Sequence, residues 1–294
     1  MYRKIMGFLE AWKESEHRKP LILQGARQVG KTYSILEFGR THYENVAYFN
    51  FETNPKLNDA FAENIDPDYL IPILSGIARQ TIVKGKTLIV FDEVQFCERA
   101  LASLKYFCED APEHHIIAVS SLLGVAVNRT KFSFPVGKVD IKTLYPMDME
   151  EFMLALGEED LVAQIKECFS TNTPLPSALH DAAMQFYRQY LVLGGMPKCV
   201  MQFAETKDYI LVRHTQDTIL ASYLNDMSKY NNLNEIKKTR LAYDNITVQL
   251  SKKNTRFQYK LIKKGGRASE FENAIEWLCL SGIVSQVYKV EQIK

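Results

Sequence analysis

The sequence has no apolar run near the ~18 residues that a membrane-spanning helix requires. Its most strongly apolar stretch, Leu88-Ile89-Val90-Phe91, is four residues long. The amino terminus, Met1-Tyr2-Arg3-Lys4-Ile5-Met6, leads into a charged amphipathic stretch and not into the apolar core of a secretory signal. No membrane contact is therefore expected, and the location expected is cytoplasmic. Cysteine is scarce: Cys97, Cys108, Cys168, Cys199 and Cys279 never lie closer than 11 positions. Without a Cys-x-x-Cys pair there is neither a zinc ribbon nor a redox dithiol to read, so the thiols are expected to be reduced and buried as small apolar side chains. The six histidines show no metal-ligand spacing, and no Gly-x-Ser-x-Gly nucleophile elbow occurs. Internal repeats and low-complexity tracts are also lacking.

What is present is ordinary globular material. Hydrophobic residues make up 46% and charged residues 24% of 294 positions, which excludes a disordered or rod-like chain. At roughly 150 residues per domain the length corresponds to about two domains. The net charge of +1 conceals a split. Residues 228–267 hold eleven Lys and Arg against Glu235 and Asp244 alone, whereas residues 1–227 hold 29 acids against 23 bases. That asymmetry points to a neutral-to-acidic body joined to a basic module able to face an anionic partner.

Hydrophobic periodicity places the elements. Ile5, Phe8, Leu9 and Trp12 recur at helical spacing. Leu21–Leu23, residues 46–51, 87–91 and 116–119 are short apolar or β-branched runs that read as strands, with helices expected from Lys31 to Gly39, through much of 56–83, and around Leu101, Leu104 and Phe107. Strands alternating with helices imply a parallel sheet covered on both faces. Residues 148–232 look mostly helical, broken at 171–176 and at Gly194-Gly195-Met196-Pro197.

Gly25-Ala26-Arg27-Gln28-Val29-Gly30-Lys31-Thr32 fits G-x-x-x-x-G-K-[ST] between an expected strand and an expected helix. Glycines let the backbone turn so that successive N–H groups face phosphate oxygens, and the helix N-terminus adds partial positive charge. In this reading residues 25–32 bind ATP, Lys31 reaches the β- and γ-phosphates, and the Thr32 hydroxyl ligates Mg2+. Arg27 within the loop is read as structural. Leu88–Phe91 ends in Asp92-Glu93, where an open α/β sheet places its ligands. Asp92 is expected to hold the Mg2+ through water and Glu93 to polarise the attacking water. The strand at 116–119 runs into Ser120, which either senses the γ-phosphate or merely starts a loop.

The motifs GARQVGKT (25–32), FDEVQ (91–95), SSLLGV (120–125), FPVGKV (134–139), LYPMDMEEF (144–152) and LGGMP (193–197) together resemble those of prokaryotic AAA+ ATPases that carry a C-terminal domain of unknown function. The resemblance implies an α/β fold: a P-loop AAA+ three-layer sandwich with sheet order 5-1-4-3-2, then a helical region and a winged-helix module. It also implies that relatives continue into a further C-terminal domain, which this chain is expected to lack. Two departures stand out. Ser120-Ser121 replaces Gly-Ser, and Gly137-Lys138 replaces Gly-Arg, where an arginine finger would need a planar fork that lysine only partly imitates. Arg129 is the substitute finger, with a surface-loop arginine as its plain alternative.

The basic module reads as a helix over 237–252, a short strand at 257–262, a helix opened by a capping box at Ser269–Glu272, and a small hairpin from Ile283-Val284 to Val287-Tyr288. The helix that would enter a DNA groove carries Glu270, Glu272 and Glu276 and no base. Residues 229–267 are therefore expected to meet either the backbone of double-stranded DNA or a partner protein, or to form a solvated face. The resulting division is an ATPase core at 1–155, a helical region at 156–232 and a basic winged-helix-like module at 233–294. The function expected is hydrolysis of Mg-ATP to drive or gate a conformational change on nucleic acid, with assembly as a homo-oligomer. The alternative is a non-hydrolysing ATP switch or a truncated DNA- or protein-binding regulator.

Overall fold

The computed structural model describes residues 1–121, 135–230, 233–252 and 256–288. They fall into two compact units whose boundary lies at Asp217–Thr218, within one long helix.

The first unit is built on a five-stranded, all-parallel sheet: β1 (Leu21–Gln24), β2 (Asn45–Asn50), β3 (Thr87–Asp92), β4 (His115–Ser120) and β5 (Asp140–Thr143). The order is β2-β3-β4-β1-β5, which reads 5-1-4-3-2 from the other edge. Every residue of β3 and β4 is buried, as strands covered on both faces must be. The edge strand β5 is only part-buried, with Ile141 exposed, so its sequence carries little strand signal. Helices α1 (Ile5–Glu14), α2 (Lys31–His42), the single-turn α3 (Leu57–Ala60), α4 (Pro67–Ala78) and α5 (Glu98–Asp110) flank the sheet. Helix α1 forms because Ile5, Leu9 and Trp12 share one buried stripe, and the Trp12 indole N–H finds the Lys19 carbonyl at 2.9 Å. Phe49, Phe51, Phe61 and Phe91 interlock with centroid separations of 5.7–6.1 Å, each burying a side chain worth ~2–3 kcal/mol.

Register positions the site. Gln24 pairs with both Ser120 and Thr143, and Asn50 pairs with Asp92. The carboxyl ends of all five strands therefore lie along one edge of the sheet, where ligands of open α/β folds bind.

Beyond β5 the chain is helical: α6 (Met149–Ala155), α7 (Glu159–Ser170), α8 (Ser177–Leu193), α9 (Pro197–Thr206) and α10 (Tyr209–Tyr230). Asp148 and Glu151 form a reciprocal capping box at the start of α6. The break at Gly194-Gly195 is a tight packing point. A Cβ on Gly195 would fall 2.0 Å from the Met147 carbonyl oxygen, and Met147 N–H donates to the Gly195 carbonyl at 2.6 Å.

The second unit packs α11 (Leu233–Leu250) and α12 (Ala268–Leu280) around Ala242, Phe271, Ala274, Trp277 and Leu278. Three local expectations are corrected here. Residues 257–262 form no strand. The amide of Gln249 takes both the N–H (2.7 Å) and the carbonyl (3.1 Å) of Gln258, and Asn245 donates to the Leu261 carbonyl at 3.0 Å. With those backbone groups satisfied by side chains, Tyr259–Leu261 closes into a 3-10 turn. Residues 283–288 form no hairpin, because the N–H groups of Ile283 and Val284 fold back onto the Leu278 carbonyl. Ser269 is not an N-cap: α12 begins at Ala268 after an extended Arg267, which places Ser269 inside the first turn. No strand occurs among the described residues of this unit. No helix of the described residues is long and apolar enough to cross a membrane.

Candidate nucleotide site

β1 stops at Gln24 and the chain turns into the loop 25–30. Gly25 has φ +152°, and a Cβ there would sit 2.2 Å from the Leu144 carbonyl oxygen, so only glycine fits. Gly30, at φ +91°, is the N-cap of α2. The N-terminus of α2 therefore opens onto the loop with unpaired N–H groups and the positive end of its dipole. Ala26 and Val29 are buried beneath the turn, and Gln28 is left-handed at φ +65°. The Arg27 guanidinium lies 3.8 Å from the Glu52 carboxylate, a position suited to shaping the loop.

Lys31 is buried, and its ammonium donates to the carbonyls of Gly25 and Ala26 at 2.8 Å each. Burial lowers its pKa to about 8, against the opposing pull of Glu93 and Asp92. Thr32 Oγ1 donates to Asp92 Oδ2 at 3.0 Å, which ties the first turn of α2 to the end of β3. The same Asp92 oxygen accepts from the Tyr48 hydroxyl at 2.5 Å and the Asn50 amide at 3.4 Å. Burial and the bond to Asp92 push the Tyr48 hydroxyl up to about 12. A threonine hydroxyl beside a carboxylate offers the hard oxygen ligands Mg2+ prefers, and Mg2+ needs few from protein. Among the described residues no group of three or more His, Cys, Asp or Glu offers a rival metal site.

Glu93 is the first residue past β3 and is left-handed at φ +53°. Its N–H is held by Asp92 Oδ1 at 3.0 Å. Its Oε2 accepts from the Gln95 amide and from Ser121 Oγ, the latter at 3.0 Å, and Ser120 Oγ donates to Gln95 Oε1 at 2.7 Å. Ser120 thus reaches Glu93 through Gln95, and it is Ser121 that touches the carboxylate.

The structure brings Lys31, Thr32, Asp92, Glu93 and Ser120 together at one sheet edge. It leaves Lys138 out: this residue precedes β5, at the amino edge, and pairs with Glu109 at 2.7 Å. Arg129 lies outside the described residues. Tyr48, Asn50 and Gln95 escaped the sequence reading, which named Ser121 only beside Ser120, although the strand-end position of Asn50 and the place of Gln95 in FDEVQ were usable signals. Arg3 escaped it entirely. Its guanidinium donates to the carbonyls of Val29 (2.9 Å) and Tyr145 (2.8 Å) and pairs with Glu151 at 3.1 Å.

A parallel sheet with a glycine-turned phosphate loop after an inner strand, and acids at the end of a nearby one, defines a P-loop fold of the AAA type. Residues 17–153 match the family model of an AAA domain, and residues 184–293 match a domain of unknown function, DUF8612. The second match corrects the expectation that a C-terminal domain of unknown function is missing: one is present. The chain is similar in fold to the Walker-type ATPase PABY2304 of Pyrococcus abyssi, at 14% identity and a TM-score of 0.54 over 95% of this chain and 89% of that one. It is also similar to the ORC2 protein of Aeropyrum pernix, solved as ADPNP–ADP complexes, at 13% identity and a TM-score of 0.50 over 97% of this chain and 87% of that one. No curated protein matches the sequence.

Proposed function

We propose that the protein is a Mg-ATP-dependent AAA+ ATPase whose hydrolysis drives or gates a conformational change. The observation that supports this most directly is the bond from Thr32 to Asp92, which sets a magnesium-type oxygen pair beside the phosphate loop. Residues 25–32 bind the phosphates, with Lys31 turning its ammonium from the loop carbonyls to the β- and γ-phosphate oxygens. Thr32 and Asp92 hold Mg2+, which when bound neutralises charge on the phosphate oxygens. Glu93 accepts a proton from the attacking water through Oε1, since Gln95 and Ser121 both engage Oε2. Ser120 keeps Gln95 oriented.

Turnover by the isolated chain is slow. The arginines beside the loop, Arg3 and Arg27, point to Glu151 and backbone carbonyls and toward Glu52, and Lys138 sits at the far edge. The cation that would complete the site comes from Arg129, which lies outside the described residues, from a neighbouring copy or from another partner. For the second unit, Lys252, Arg256, Lys260, Lys263, Lys264 and Arg267 are exposed ahead of the acidic helix α12. They serve to contact a nucleic-acid backbone, without groove reading by α12. The test is phosphate release with and without duplex DNA, beside Lys31→Ala. Release that persists unchanged in Lys31→Ala overturns the ATPase reading, and DNA binding that ignores salt overturns the nucleic-acid role.

A further inference from the structure

The Arg3 side chain is 5% exposed, lies before the first helix, and connects three segments distant in sequence. Its Nε donates to Glu151 Oε1 at 3.1 Å, Nη1 to the Val29 carbonyl at 2.9 Å and Nη2 to the Tyr145 carbonyl at 2.8 Å. Glu151 is fully engaged on its side. Oε1 also accepts the Lys4 N–H at 2.7 Å, and Oε2 accepts the Asp148 N–H at 3.2 Å. The ion pair is therefore anchored to backbone at both ends, a fixed fork of the kind only arginine offers.

What the fork holds matters more than the pairing. Val29 and Gly30 share a planar trans peptide, in which C=O and N–H point in opposite directions. A Val29 carbonyl drawn back onto Arg3 turns the Gly30 N–H to the opposite side of the chain. Gly30 is the N-cap of α2, where the loop must present N–H groups to an anion. Arg3 also lies against Gly30, its Nη1 3.5 Å from where a Cβ would stand. Through Nη2 it holds the segment after β5, whose Leu144 carbonyl backs Gly25 at the other end of the loop. Both ends of the loop thus rest on backbone that Arg3 keeps in place.

We propose that Arg3 is a positioning residue for the phosphate loop: it sets the direction of the Gly30 N–H and so the affinity for phosphate, with Glu151 holding the guanidinium in register. This rests on the nucleotide-binding reading above. The role differs from simple stabilisation by a buried ion pair, and one pair of variants separates them. Glu151→Gln keeps an acceptor for Arg3 Nε. Arg3→Met with Glu151→Gln removes both charges, so no buried carboxylate is left unpaired, but it abandons the Val29 carbonyl.

Full-length protein is titrated by calorimetry with Mg-ATP and, separately, with inorganic tripolyphosphate, and melted by circular dichroism. Expected for Glu151→Gln, which keeps an acceptor for Arg3 Nε but loses the charge that holds the fork, is an ATP affinity between those of the wild type and the double variant. The double variant leaves neither buried charge unpaired, so it melts no lower than Glu151→Gln, yet it binds both ligands roughly tenfold more weakly than the wild type, as loss of one charge-assisted hydrogen bond predicts. A double variant that binds ATP like the wild type overturns the proposal, as does weakening confined to ATP with tripolyphosphate unaffected. Should the double variant not fold, Arg3→Lys, which keeps the charge and loses the fork, decides: wild-type affinity there overturns it. A wild type that binds neither ligand overturns the nucleotide reading itself and the proposal with it, whereas normal wild-type binding with unimpaired Arg3 variants defeats the proposal alone.

Discussion

Thr32 Oγ1 donates to Asp92 Oδ2 across 3.0 Å, joining two residues sixty positions apart at the mouth of the phosphate loop. The two groups are the ones that would hold Mg2+ in the proposed reading, so their contribution should be separable from the phosphate contacts. Thr32→Val keeps the shape and removes the hydroxyl. ATP affinity in Mg2+ is expected to fall by roughly tenfold, about 1.4 kcal/mol, while affinity measured in EDTA changes little. Equal losses in both conditions would place Thr32 outside the metal site.

Glu93→Gln keeps the bonding capacity of the side chain and removes its basicity. Multiple-turnover phosphate release is expected to drop about a hundredfold or more, with ATP affinity retained. An unchanged rate removes Glu93 from the chemistry.

Burial lowers Lys31 to about 8 in the free protein. Bound phosphates favour the charged form and raise that pKa, so binding takes up a proton once the pH exceeds the free value. ATP affinity should be flat between pH ~6.5 and ~7.5 and then fall above about 8, by up to roughly tenfold per pH unit. Fluorescence titration across that range checks the slope, and Lys31→Met should show weak binding with no such break.

His115 is buried under Trp12 and accepts or donates a 2.7 Å bond with the Tyr43 hydroxyl. Burial lowers its pKa from 6.5 to about 4, aided by the nearby charges of Arg18 and Lys13. The unfolded chain therefore binds the extra proton between those values and the folded one does not, so stability falls as pH drops from 6.5 toward 4. Thermal melts at about pH 7.5, 6 and 5 should show Tm declining, and His115→Gln should flatten part of that decline. A slope identical in both proteins assigns it to other groups.

Gly195→Ala forces a methyl to within 2.0 Å of the Met147 carbonyl. Expected is a loss of about 3 kcal/mol, a Tm drop of roughly 5–10 °C for a unit of this size. Gly194→Ala meets nothing within 4 Å, but φ +69° with ψ −177° is backbone that essentially only glycine adopts, so it costs on the order of 1–3 kcal/mol through strain alone. An unchanged melt for Gly195→Ala would show that the close approach to Met147 is not rigid.

The legible parts of the fold were those whose signal is local. Leu21–Leu23, Leu88–Phe91 and Ile116–Val119 are buried on both faces and read as strands from apolarity alone. The nearness of Thr32 and Asp92 is legible because a motif fixes each one's place at the end of an element. The resemblance implied a fifth strand, but its residues did not locate it, since Asp140-Ile141-Lys142-Thr143 is half exposed and mixes polar with apolar residues. Residues 257–262 alternate as a strand should, yet the side chains of Asn245 and Gln249 take the backbone groups that a ladder would need. Arg3 was hidden for a different reason: its partners lie 26 to 148 positions away, and nothing in a six-residue amino terminus announces them.

The left-handed backbone of Glu93 sets two selective demands against each other. Glycine would hold φ +53° without strain, whereas glutamate there costs about 1 kcal/mol or more. A descendant carrying Glu93→Gly would be free of that strain and would lack the carboxylate to which the proposed mechanism gives the water's proton. On the proposed ATPase reading, a lineage that drifted toward stability at this position would lose hydrolysis first while keeping its phosphate loop intact, and what survived would only bind nucleotide.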